Sequence, residues 1–94
     1  MSNRVFEPVV SAYLKTDGKN HSETIQFKLS YGFELENYEN PVFKVQMCNG
    51  EKVKGRQAPS YSDNDFDRIV SLKSKLRAEF ESMDHRLRDV VVTL

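Results

Sequence analysis

Two histidines and one cysteine are the side chains of this chain best equipped for nucleophilic or metal chemistry. His21 stands two residues before Glu23, and His85 directly follows Asp84. One thiol and two distant imidazoles lack the spacing of a zinc ligand set. Cys48 with either histidine would make a nucleophile and its base, but nothing in the pattern brings them together, and Cys48 reads as exposed beside a turn. His85 is better read as a cation at a helix C-terminus, where the dipole favours it. Asp63-Asn64-Asp65-Phe66-Asp67 has the alternate acids of a calcium loop without its glycine or its distant glutamate. A capped helix start explains those acids more simply. The chain is therefore expected to be no enzyme, with no metal and no cofactor.

What remains is basic. Lys28 lies in one alternating segment, and Lys44, Lys52, Lys54 and Arg56 lie in the next two. Every second residue of a strand shares a face, so such lysines gather on one surface. With Tyr13 as a stacking ring, that surface would suit phosphates and bases. Against this stands the ordinary use of lysine as a solvated, edge-protecting strand residue.

The elements that must position these groups follow from periodicity. Ile25, Phe27, Leu29, Tyr31, Phe33 and Leu35 alternate with mostly polar residues, which predicts an extended segment with one buried face. Gly32, on the polar side, predicts a bulge or bend that splits it. Val9 to Leu14 reads as an earlier strand with Val10, Ala12 and Leu14 inward. Lys15 joins Tyr13 outside if that strand shows its less apolar side. Residues 36–41 read as a turn-rich connection. Val42 to Cys48 alternates with Phe43, Val45 and Met47 inward, and Asn49-Gly50 signals a hairpin. A two-residue loop would set Cys48 opposite Glu51 and face lysines to the core. A three-residue loop with Gly50 left-handed sets Val45 opposite Val53 and Lys44 opposite Lys54. The second is preferred because register follows the hydrophobic face.

Ser62 is a good N-cap, with Asp65 three residues on and Tyr61 and Phe66 at the staple positions. Phe66, Ile69, Leu72, Leu76, Phe80 and Met83 predict one apolar helical stripe. The other helix face, with Arg68, Lys73, Lys75 and Arg77, reads as solvated surface. Asp89 to Leu94 is β-prone and closes the chain. The expected fold is α+β: an antiparallel sheet of four to five strands, one long amphipathic helix on one face, and a short C-terminal strand.

Composition sets the outer bounds. Ninety-four residues make a single domain, and fourteen basic residues balance fourteen acidic ones, so only local clustering can argue for nucleic acid. A lone cysteine excludes an internal disulfide framework. The N-terminal residues do not read as a signal peptide, and Val90 to Val92 is the longest aliphatic run, far short of a membrane span. A cytoplasmic protein without membrane contact is expected.

The strand, the hairpin turn, Gly50-Glu51, Gly55-Arg56, a polar connection and a capped helix with early Phe66 together resemble the positive-cofactor-four group. The resemblance covers residues 42–80 with loose motifs. These are small coactivators that bind single-stranded DNA through a curved sheet and dimerise through the helix. The resemblance implies that Lys52, Lys54 and Arg56 belong to a basic hairpin. Gln57 departs from that pattern, and the strand after the helix does not fit the same dimer. The expected function is thus a small binding protein for single-stranded nucleic acid, using Lys28, Lys44, Lys52, Lys54, Arg56 and Tyr13. The alternative is a protein-binding inhibitor or adaptor acting through an exposed edge strand or the acidic connection, with a homodimer through Val90 to Leu94 as one form.

Overall fold

A computed structural model describes residues 5–19, 21–50, 52–53 and 59–94. In chain order it contains β1 (Phe6–Lys15), β2 (Ile25–Glu34), β3 (Asn37–Asn49), β4 (Lys52–Val53), α1 (Asp63–Ser82) and β5 (Val90–Val91). The strands form one sheet in the order β4-β3-β2-β1-β5. β1 to β4 make an antiparallel meander, whereas β5 lies parallel to β1, with Val10 opposite Val90 and Ser11 opposite Val91. A parallel partner cannot be reached by a tight turn, so the chain crosses one sheet face as α1 to reach the far edge. The protein is α+β.

The alternation in β2 is the axis of the core. Ile25, Phe27, Leu29, Tyr31 and Phe33 are buried beneath α1. Val10, Ala12 and Leu14 flank them on β1, and Phe43, Val45 and Met47 on β3, in the register that puts all three sets on one face. Ile69, Leu76 and Phe80 descend onto this layer from α1, with Leu72 and Met83 half-buried beside them. The alternation stops one residue sooner than expected, because Leu35 belongs to the turn and is exposed.

Phe66 also departs from the expected stripe: it is about half exposed, and Asp65 is buried instead. At about 100° per residue, Phe66 sits roughly 60° from Ile69 around the helix while Asp65 sits about 40° away on the other side. Phe66 packs on Tyr61 with ring centroids 5.7 Å apart, so the staple forms at the rim of the core. Ser62 is the N-cap, accepting from the Asp65 N–H at 3.0 Å. Asp65 Oδ1 reaches outward, accepting from the Asp17 N–H at 2.9 Å and from Arg68 at 3.1 Å. At the other end, the His85 ring stacks on Phe80 with centroids 4.0 Å apart, and its Nε2 lies 2.7 Å from the Phe80 carbonyl.

Gly32 marks an irregularity without dividing β2. The β1 register shifts between Pro8 and Val10, and the β3 register shifts between Gly32 and Glu34. The Glu7–Pro8 backbone comes so close that a Cβ on Gly32 would lie 2.1 Å from the Glu7 carbonyl oxygen. Residues 37–41, expected as a connection, are strand instead. Leu35 and Glu36 make the turn, Glu36 adopting φ +67°, and Glu34 pairs with Asn37.

The second hairpin takes neither expected register. Asn49 pairs with Lys52 and Cys48 with Val53, although Gly50 is left-handed as anticipated (φ +62°). Among the described residues β4 comprises two, Lys52 and Val53, so too little apolar face exists to select a register, and the turn decides it. Val53 consequently lies on the face turned away from α1.

Candidate nucleic-acid interface

The face turned away from α1 can be read row by row across the ladders. One row runs Lys15, Gln26, Cys48, Val53 from β1 to β4. The next holds Tyr13, Lys28 and Gln46, and the third holds Val91, Ser11, Ser30 and Lys44. None of these residues is acidic. Past the third row the first acid among the described residues is Glu34, two rows further on and opposite Phe6, while beyond the first row Asp17 and Glu23 line a hollow beside Lys15.

The floor of the surface is small and buried. Ser11 and Ser30 share a hydrogen bond of 2.7 Å between their hydroxyls. Cys48, expected to be exposed, is fully buried on this face. Burial pushes its thiol pKa up, opposed more weakly by the nearby Lys28 charge, so the thiol stays protonated and a poor nucleophile. Longer side chains rise around this floor: Lys28, Lys44, Gln26 and Gln46 are half-buried, and Tyr13 and Lys15 are exposed.

Beyond the bulge, β1 brings Val5, Phe6 and Pro8 against the basic residues. Together with Lys28, Lys44, Gln46 and Val53 they line a groove of about 240 Å³. The Lys44 ammonium sits 5.0 Å from the centre of the Phe6 ring, a cation–π contact. Among the described residues no carboxylate pairs with Lys28 or Lys44.

The structure therefore brings together Tyr13, Lys28 and Lys44, and adds Lys15. Lys52 does not join them, because pairing with Asn49 gives it the register position of the α1-facing side. Lys54 and Arg56, and with them the expected Lys44–Lys54 opposition, lie outside the described residues. The apolar wall is not foreshadowed by the alternation, which starts the first strand at Val9, whereas β1 begins at Phe6. Phe6, two residues before Pro8, is the available signal. Lys73 also departs from the expected solvated face: its ammonium lies 5.9 Å from the Tyr31 ring and 5.7 Å from that of Phe43, so it covers the core.

Among the described residues no cluster of acids, histidines and cysteine is arranged to hold a metal, and no helix is long and apolar enough to cross a membrane. No protein-family model matches the chain, and neither the curated proteins nor the solved structures contain a match to it.

Proposed function

We propose that this protein is a non-enzymatic binding module that takes single-stranded nucleic acid across the sheet face opposite α1. The observation that carries the reading is the placement of Lys15, Tyr13, Lys28 and Lys44 on three successive rows without an acid among them. Lysines meet phosphates as point charges, and a tyrosine on a strand offers a ring to a base of any sequence. Gln26 and Gln46 add amide donors and acceptors between the charges.

The test is binding of a fluorescent single strand of about 25 nucleotides over a salt series, beside a Lys28→Glu/Lys44→Glu variant. Affinity that falls with salt and disappears in the folded variant supports the reading. No binding at low salt overturns it. The second reading, a protein-binding adaptor, rests on β5: only two residues pair with β1, and Val91 is 60% exposed at that edge.

A further inference from the structure

Accepting the nucleic-acid reading, we infer that the strand follows a single diagonal, Lys15 to Lys28 to Lys44, and that the footprint is only about four nucleotides. Lys15 lies on β1 in the first row, Lys28 on β2 in the second and Lys44 on β3 in the third. Each step crosses one strand, about 4.8 Å, and advances two residues, about 6.7 Å, so successive lysines stand about 8 Å apart. The whole track is about 16 Å long by the same spacings. It carries three phosphates and places Tyr13, directly opposite Lys28, against the base beside the central phosphate.

Among the described residues the track is bounded on one side. On its β1 side the groove beside Lys44 is walled by Phe6 and Pro8, and among the described residues the next charge along that face is Glu34, opposite Phe6. A phosphate chain gains nothing by continuing there. Lys52 takes no part, because its register position belongs to the other face. The inferred site is thus at the small end of the range for sheet-based single-strand binders, about 4–16 nucleotides.

The experiment uses oligothymidines from about three to about 25 nucleotides with the full chain, each affinity divided by the number of registers the oligomer offers. Per-register affinity should level off by about six nucleotides, with a salt slope near −2 from three phosphates at about 0.7 each. Lys15→Ala should reduce the slope by about 0.7, while Lys52→Ala leaves it unchanged. Circular dichroism confirms that both variants are folded. A slope well beyond −2, continued gain above about twelve nucleotides, or a Lys52 effect equal to that of Lys15 overturns the track while the binding function stands. Absence of binding to every length overturns both.

Discussion

The hydroxyl of Ser62 donates to the carboxylate of Asp17, forty-five residues earlier in the chain, at 2.5 Å. The same oxygen accepts from the Asp65 N–H, so one side chain both caps α1 and ties it to the loop after β1. Asp65 completes the tie by accepting from the Asp17 N–H, and Arg68 reaches from Asp65 to the Lys15 carbonyl. Ser62→Ala is expected to lower stability by about 1–2 kcal/mol, the upper range for a lost cap, because the tertiary bond goes with it. Urea unfolding should show a lower midpoint with an unchanged slope. An effect of about 0.5 kcal/mol, what the weakest caps lose alone, would mean that the link to Asp17 contributes nothing.

The same contact gives stability a pH dependence. The Ser62 hydroxyl, and then the Lys19 N–H, hold the Asp17 pKa below its ordinary 3.8. A carboxyl depressed in the folded state binds its proton more readily when unfolded. Its contribution is therefore fully present above pH 3.8 and is lost as pH falls through the folded value. Asp84 behaves in the same direction through its hydrogen bonds from Arg86. Thermal midpoints measured from neutral to strongly acid pH should fall more steeply for the wild type than for Asp17→Asn. Asp84 acts in both proteins, so the difference isolates Asp17. Parallel curves would show that the contact does not persist in solution.

A close backbone approach separates Gly32 from the other described glycines, Gly18 and Gly50. Gly18 needs glycine for its conformation, φ +80°, but has open space around it. Gly32 is the reverse: an added Cβ meets the Glu7 carbonyl oxygen at 2.1 Å and the Pro8 Cα at 2.7 Å, and neither is a side chain that can swing aside. Gly32→Ala should therefore cost about 3 kcal/mol or more, against about 1 kcal/mol for Gly18→Ala. The Gly32 variant should also lose the groove, since the strand segment carrying Phe6 must move away. Chemical shifts of Phe6 and Lys44 would report that displacement, and their persistence would contradict it.

How much of this was legible in the chain depended on how many residues shared each signal. The core face of β2 repeats over five apolar side chains, and the helix was marked at once by its cap, its staple and its stripe. Both were readable because an error at one residue would not change the pattern. Registers resting on one or two residues were not. The expected register of the second hairpin rests on Val53, the one apolar residue described in β4. The two-residue strand instead follows its turn, which moved Val53 to the far face and Lys52 off the basic surface. The spacing from Ser62 marks Asp65 as a capping-box acid, yet its carboxylate accepts from Arg68 and from the Asp17 N–H in the loop after β1, and the latter is a tertiary relationship that no local spacing encodes. The Phe6 wall likewise depends on the bulge between Pro8 and Val10, where the chain departs from period two.

Tyr13 offers the most direct access to the functional reading. It is 40% exposed, stands opposite Lys28, and occupies a chain without tryptophan. Tyr13→Trp thus installs a single indole at the point where a base should stack, and indole stacks at least as well as phenol. Adding single-stranded oligonucleotide should quench its emission in proportion to occupancy, and Lys28→Glu should abolish the change. Tyr13→Ala should weaken binding about tenfold, the lower half of the 1–3 kcal/mol that base–aromatic stacking contributes. The salt slope should stay constant in that variant, because a lost ring removes no phosphate contact. These two readouts separate the roles: a lysine changes the slope, and the tyrosine changes affinity at constant slope. Binding that leaves the indole emission unmoved would place the bases elsewhere. A Tyr13→Ala variant with altered slope would mean that the ring acts by holding Lys28 rather than by meeting a base.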